Sequence, residues 1–174
     1  MSIEIAGHAI VSADGRIADR YRQMPTALRN EKDWTRFQAA LDRAVLVVLG
    51  RLGHEAHANP GRRRLVVTSR VERLEPIDEQ VTLWNPAGID FRDAAAELGI
   101  TEGSVAVTGG QQVFDYFLRR FTRFDLVTVD GVLIPDGVPC FSDGWPEEVL
   151  AQAGLRVMER EALDPGARLE VWRR

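Results

Sequence analysis

The apolar residues of the chain fall into short runs that alternate with segments of helical spacing. Runs rich in β-branched side chains and too short for helices predict buried strands at residues 3–11, 45–49, 65–67, 81–84, 105–107 and 124–129. Apolar residues spaced three or four apart predict helices at residues 30–44, 90–98 and 111–118. Near the C-terminus, residues 155–163 and 169–172 flank Asp164-Pro165-Gly166, which predicts an antiparallel hairpin.

This order of elements predicts an α/β fold in a single domain spanning residues 1–174. We expect a three-layer α/β/α architecture whose central sheet is mostly parallel, with the antiparallel hairpin at its C-terminal edge. A chain of 174 residues can bury a sizeable core.

Composition narrows the classes of partner. The net charge of −4 lacks the basic excess of a general nucleic-acid binder, and no apolar run reaches the length of a membrane span. Cys140 is the only cysteine, which excludes an intramolecular disulfide and is typical of a cytoplasmic protein. His54 and His57 have metal-ligand spacing but no third ligand nearby, so we expect no metal site.

Three predicted strands are followed by residues suited to binding a phosphate. These segments are Gly50-Arg51, Thr68-Ser69-Arg70 and Gly109-Gly110, the last of which leads into a helix. Guanidinium groups, hydroxyls and the amides at a helix start all bind phosphate oxygens. Each segment alone is equally compatible with a turn that binds nothing, and Gly-Gly lacks the full GxGxxG pattern. Because ligands collect at the carboxyl ends of parallel strands, the three together predict one phosphate-rich ligand across this edge.

The helix predicted from Asn30 carries a carboxylate with two interpretations. Asp33 lies in the first turn, where negative charge suits the helix dipole. It also borders an apolar face made by Trp34, Phe37, Leu41 and Ala44, so it can point towards whatever that face covers. Met24-Pro25 precedes this helix in a loop of about ten residues, long enough to cover a site.

These motifs, in this order, resemble the dihydrofolate reductase superfamily over nearly the whole chain. The resemblance rests on Asp14-Gly15-x-Ile17, Met24-Pro25, Asp33 with Phe37, Val48-Leu49-Gly50-Arg51, Pro60-Gly61-Arg62, residues 66–70, Gly109-Gly110 and residues 141–145. Asp14-Gly15-Arg16-Ile17 and Pro135-Asp136-Gly137 also resemble the reductase domain of bacterial riboflavin biosynthesis, which shares the fold.

The resemblance implies NADPH as the cofactor, bound beside a cis peptide between the two glycines. It assigns the pyrophosphate to Gly109, Gly110, Gln111, Gln112 and Val113. It places the 2′-phosphate at Arg51, Ser69 and Arg70, with Gly50 and Thr68 alongside. It places the nicotinamide between Ile10 and Ile17, with Gly15 in the adjoining turn.

The resemblance also implies the reaction, which is hydride transfer to a C=N carbon of a pterin or to a sugar carbonyl carbon in the riboflavin-type reaction. Asp33 is then the catalytic and substrate-binding carboxylate, Phe37 stacks on the substrate ring and Arg62 binds a substrate carboxylate. The partner is a small heterocycle, either dihydrofolate or a ribosylaminopyrimidine, and relatives of the riboflavin type favour a homodimer.

Several positions depart from the family pattern. Gly53 stands where the family usually has threonine, Thr26 where it has tryptophan and Phe114 where it has tyrosine. Two additional residues separate Met24-Pro25 from Asp33. The alternatives are therefore an NADP(H)-binding protein of the same fold without catalysis, or an interaction domain.

Overall fold

The computed structural model describes residues 2–174 and contains eleven strands, five α-helices and one short 3-10 helix. The strands are β1 Ile3–Ser12, β2 Arg16–Ala18, β3 Leu46–Gly50, β4 Arg64–Val67, β5 Leu74–Pro76, β6 Val81–Trp84, β7 Gly103–Val107, β8 Arg123–Val129, β9 Val138–Pro139, β10 Arg156–Leu163 and β11 Ala167–Arg173. The α-helices are α1 Glu31–Arg43, α2 Arg51–Ala56, α3 Phe91–Glu97, α4 Gln111–Phe117 and α5 Pro146–Gln152, and the 3-10 helix is Thr26–Leu28.

Nine strands form one sheet in the order β10-β11-β8-β1-β7-β3-β4-β6-β5. From β8 to β6 all neighbours are parallel, whereas β10 and β11 pair antiparallel with each other and β11 pairs antiparallel with β8. The predicted mostly parallel sheet with an antiparallel C-terminal hairpin is confirmed. The opposite edge is antiparallel as well, because β5 turns back on β6. A separate ribbon pairs β2 with β9.

Helices cover both faces of the sheet, which confirms the three-layer architecture. On one face, Val105, Val107 and Phe124 pack with Phe114 and Phe117 of α4 in a largely aromatic core. On the other face, α1 lies over an aliphatic cluster of Leu41, Val47, Leu49, Val66, Val81 and Ala106. Side chains alternate along a strand, so β1 sends successive residues to the two layers.

Helix α1 buries a different line of residues from the one predicted. Trp34 is 54% exposed, whereas Asp33 is buried. The inward line runs through Asp33, Phe37 and Leu41, which are four residues apart and therefore lie one above another on the helix. The prediction that Trp34 packs inward is wrong, because the buried line includes a carboxylate that an apolar pattern does not register.

Six short elements lie outside the ranges predicted from the sequence, namely β2, β5, β9, α2, α5 and the 3-10 helix, and two of them show why. Strand β5 has three residues and ends in Pro76, and such a short segment carries little periodic signal. Helix α5 starts with Pro146 and places Glu147 and Glu148 in its first turn, which are ordinary signals for a helix start.

Candidate functional site

The fold brings the three predicted phosphate-binding segments to adjacent positions. Strands β7, β3 and β4 are neighbours in the sheet, and Gly50 is in register with Val67, the residue before Thr68. The Gly50 N–H donates to the Gly109 carbonyl at 2.9 Å. The segments after all three strands therefore share one edge of the sheet.

Gly109 and Gly110 differ sharply in their surroundings. The peptide between them is cis, as the resemblance implies, and Gly109 has φ of +100°. A Cβ at Gly109 would lie 2.8 Å from Phe114, whereas a Cβ at Gly110 would meet no atom within 4 Å. A ligand can thus reach the backbone of Gly110 through the space that a side chain at this position would occupy.

Helix α4 begins directly after these glycines. Its first internal hydrogen bond runs from the Phe114 N–H to the Gly110 carbonyl at 2.9 Å, so the amides of residues 111–113 lack intrahelical acceptors. Val113 is buried, Gln112 is exposed, and the Gln111 Nε2 donates to the Pro139 carbonyl at 3.2 Å. The amides in this turn are available to a phosphate group.

The side chains predicted for the 2′-phosphate are exposed at the same edge. Arg51 is the first residue of α2 and pairs with Glu55 at 2.9 Å. Ser69 and Arg70 are exposed, and the Arg70 N–H donates to the Thr68 Oγ1 at 3.2 Å. Because exposed ion pairs contribute little energy, Arg51 can exchange Glu55 for a phosphate at small cost.

The residues assigned to the nicotinamide lie around the carboxyl end of β1 but pack into different clusters. Ile10 contacts the cluster that contains Leu28, and Ile17 contacts the aromatic core. Gly15 has φ of +79° in the turn between β1 and β2, and its carbonyl accepts from the Cys140 N–H at 3.1 Å. The structure places these residues at one end of β1 without joining the two isoleucines in one cluster.

Asp33 is not the residue that caps α1. The Asn30 side chain accepts the Asp33 N–H at 2.9 Å, which leaves the Asp33 carboxylate free of any capping bond. That carboxylate is buried and accepts from the Arg36 Nη2 at 3.1 Å. Burial raises the pKa of Asp33; Arg36 opposes this through its charge and hydrogen bond, but the net pKa shift is upward.

Asp33 belongs to a network of buried polar side chains, and this network was not predicted from the sequence. Asp125 on β8 is 1% exposed and accepts from the Arg36 Nη1 at 2.8 Å and from the Arg123 Nε at 2.7 Å. His8 pairs in register with Asp125 on the neighbouring strand, and its Nδ1 lies 3.7 Å from the Asp125 Oδ2. We call His8, Asp33, Arg36, Arg123 and Asp125 the buried polar network. The sequence signal for it was a histidine and an aspartate, each interrupting an apolar strand.

The charge states in the buried polar network follow from burial and from the two guanidinium groups. Burial lowers the pKa of His8 to about 4, so its imidazole is neutral at pH 7. Burial disfavours the Asp125 anion, but the hydrogen bond from Arg123 and the charges of Arg123 and Arg36 outweigh it and lower the pKa of Asp125. The Asp125 carboxylate therefore stays ionised between two guanidinium groups, and Arg36 also opposes the upward pKa shift of Asp33.

Phe37 belongs to this region, whereas Arg62 does not. The Phe37 ring centroid lies 5.6 Å from that of His8, one helical turn after Asp33. Arg62 instead binds Asp42 at 2.7 Å and the Gln38 Oε1 at 2.8 Å, roughly 8–14 Å further along α1 by helical rise. The structure leaves Phe37 beside Asp33 but engages Arg62 with the C-terminal half of α1.

The positions that depart from the family pattern have clear structural settings. A Cβ at Gly53 in α2 would make only an ordinary 3.8 Å contact with Leu49, so a larger residue fits there. Thr26 starts the 3-10 helix, and Phe114 is 1% exposed in the aromatic core. These substitutions therefore leave the fold intact.

Comparisons with known proteins identify the fold. A structure from Shewanella sp. PV-4, described as that of a riboflavin biosynthesis protein, is 18% identical to this chain. Its TM-score is 0.68, and the match covers 100% of this chain and 99% of that one. Dihydrofolate reductase from Enterococcus faecalis, complexed with NADP(H) and RAB-propyl, is 16% identical with a TM-score of 0.71 over 98% of this chain and 96% of its own.

A third similar structure is a longer protein. The diaminohydroxyphosphoribosylaminopyrimidine deaminase/5-amino-6-(5-phosphoribosylamino)uracil reductase from Thermotoga maritima is 18% identical with a TM-score of 0.66, and the match covers 98% of this chain and 56% of that one. The chain thus has the dihydrofolate reductase-like fold, which these three structures share. No protein-family model and no curated protein matches the sequence. Within residues 2–174, no helix combines the length and apolarity that a membrane span requires.

Proposed function

We propose that this protein is an NADPH-dependent reductase acting on a small heterocyclic substrate of the pterin or ribosylaminopyrimidine type. The observation that carries the proposal is the layout of the sheet around β1. The segments predicted to bind phosphate lie at the carboxyl ends of β7, β3 and β4, and Asp33 lies on the α1 side with Phe37. The fold, shared with reductases, supports the same conclusion.

The residues at the strand ends fit the cofactor. The open space at Gly110 admits a phosphate group to the backbone, and the amides of residues 111–113 would bind its oxygens. Arg51, Ser69 and Arg70 would hold the 2′-phosphate that separates NADPH from NADH. When bound, NADPH supplies the hydride, and the protein aligns donor and acceptor.

Asp33 would act on the substrate by charge. A buried carboxylate favours a protonated nitrogen next to it, and the positive charge on that nitrogen makes the adjoining carbon a better hydride acceptor. Phe37 would pack against the substrate ring one turn further along α1. Because Asp33 is buried beside Arg36, its carboxylate is held in one orientation.

The test is to follow NADPH absorbance with dihydrofolate and, separately, with a ribosylaminopyrimidine phosphate. We expect oxidation of NADPH that depends on one of these substrates, and a much slower reaction with NADH. Asp33→Asn should reduce turnover far more than NADPH affinity, while Glu31→Gln, which changes an exposed carboxylate on the same helix, should change neither.

Three results would contradict the proposal, each in a different way. Tight NADPH binding without turnover of either substrate would favour a cofactor-binding protein of this fold that lacks catalysis, for which Gly53 and Thr26 are the supporting residues. Failure to bind NADPH would leave an interaction domain. An equal loss of turnover and cofactor affinity in Asp33→Asn would show that Asp33 has only a structural role.

A further inference from the structure

Arg36 joins Asp33 to a second buried carboxylate. Its two terminal nitrogens bind different carboxylates, Nη2 binding Asp33 at 3.1 Å and Nη1 binding Asp125 at 2.8 Å. The side chain is 21% exposed and bridges α1 to β8. Arg36 thus links the proposed catalytic carboxylate to the sheet beneath it.

Asp125 fixes Arg36 in this position. Its side chain is 2% exposed and also accepts from the Arg123 Nε at 2.7 Å and Nη2 at 3.1 Å. A buried carboxylate with a double hydrogen bond from one arginine is held rigidly, so the second arginine meets a fixed acceptor. Arg36 in turn fixes the Asp33 carboxylate by binding its Oδ1. No hydrogen bond within the described residues engages the Asp33 Oδ2.

The charges around Asp33 balance. Asp33 and Asp125 contribute two negative charges, Arg36 and Arg123 contribute two positive charges, and His8 faces them from β1 as a neutral ring. A lone buried carboxylate would gain strongly from a cationic ligand, whereas a carboxylate that already has a counterion gains less. The Arg36 counterion therefore reduces what a cationic ligand would gain from Asp33.

We infer that Arg36, anchored by Asp125, is a positioning residue that favours the ionised form of Asp33, leaves its Oδ2 for the substrate, and thereby weakens the preference of Asp33 for a cationic ring over a neutral one. The part concerning substrate choice rests on the proposed function. The part concerning Asp33 does not, since it concerns the protein without ligands.

The first test is the titration of the Asp33 carboxyl group, followed by carbon NMR in protein labelled at aspartate carboxyls, with no ligand added. The charged groups that act on Asp33 are Arg36 on its own helix and Asp125 on β8, while Arg123 on β8 and His8 on β1 face Asp125. Removing the positive charge in Arg36→Met or Arg36→Gln should move the titration of Asp33 to higher pH.

Two matched variants separate this role from general packing. Arg36→Lys keeps the charge and should restore the titration close to that of the parent protein. Arg123→Met removes an arginine from the same Asp125 carboxylate but does not contact Asp33, so it should shift Asp33 less than Arg36→Met. If Arg36→Met and Arg36→Gln titrate like the parent, or if Arg123→Met shifts Asp33 equally, the inference is wrong.

The second test measures binding of two small rings to NADPH-saturated protein. Uracil serves as the neutral probe and 2,4-diaminopyrimidine as the probe that becomes cationic beside a carboxylate. Arg36→Gln should raise the affinity for 2,4-diaminopyrimidine relative to uracil by about tenfold or more, a difference of about 1.4 kcal/mol. An unchanged ratio would overturn the selectivity claim, and a failure of NADPH binding would instead count against the proposed function.

Discussion

Alanine substitutions at the two adjacent glycines that follow β7 should affect different properties, stability at Gly109 and cofactor affinity at Gly110. In Gly109→Ala, the new Cβ would lie 2.8 Å from the Phe114 Cε2 and 3.0 Å from its Cζ. Phe114 cannot move aside easily, because it is 1% exposed and packs against Phe124 and Phe141 with ring centroids 5.5 and 6.0 Å away.

The expected cost of Gly109→Ala has two parts. An L-residue at φ of +100° is strained, which costs about 1–2 kcal/mol. Forcing a methyl group into a packed core costs about 1–3 kcal/mol more. A total loss of about 2–5 kcal/mol is a large share of the roughly 5–15 kcal/mol typical of domain stability.

Gly110→Ala serves as the matched control for the stability measurement, and it also tests where NADPH binds. Gly110 has φ of −72°, is exposed, and offers its Cβ open space, so we expect a stability change within about 0.5 kcal/mol. The same methyl group would occupy the space assigned to the pyrophosphate, so NADPH affinity should fall at least about tenfold.

The assays are urea unfolding for stability and fluorescence titration for NADPH affinity. Parent-like stability of Gly109→Ala would refute the packing argument at Phe114. Parent-like NADPH affinity of Gly110→Ala, in a protein that unfolds normally, would refute the assignment of the pyrophosphate to this turn.

Three further predictions concern other parts of the site. Arg51→Ala or Arg70→Ala should weaken NADPH at least about tenfold more than NADH in parallel titrations, and an unchanged ratio would disprove the 2′-phosphate assignment. Gly53→Thr should bind NADPH more tightly than Gly53→Ala if the hydroxyl typical of the family acts here, and equal affinities would argue against that. The fold disfavours protonation of His8, whose pKa falls from 6.5 to about 4, so stability should decrease by about 3 kcal/mol as pH drops through this window, and unfolding of His8→Asn should lack that decrease.

The sheet, and the adjacency of the three segments at one of its edges, could be predicted because both depend on local patterns. Short apolar runs followed by Gly50-Arg51 or Gly109-Gly110 predict parallel strands whose carboxyl ends carry residues suited to binding a ligand. The adjacency of these ends then follows from the parallel pairing, without knowledge of side-chain contacts.

The buried polar network could not be predicted in the same way. His8 and Asp125 are 117 positions apart and meet only because β1 and β8 pair in this register. Arg36 lies three residues after Asp33, but its role depends on Asp125 across the sheet. The same limitation explains the wrong prediction that Trp34 packs inward. The spacing of apolar residues does not indicate that Asp33, rather than Trp34, faces the sheet.

A crystal structure with NADP⁺ bound tests the central claim most directly. The account predicts the pyrophosphate at Gly109 and Gly110, the 2′-phosphate at Arg51, Ser69 and Arg70, and the nicotinamide ring at the end of β1 near Ile10, on the side of the sheet where Asp33 lies. A cofactor bound elsewhere, or a nicotinamide ring on the side of the sheet away from Asp33, would contradict it.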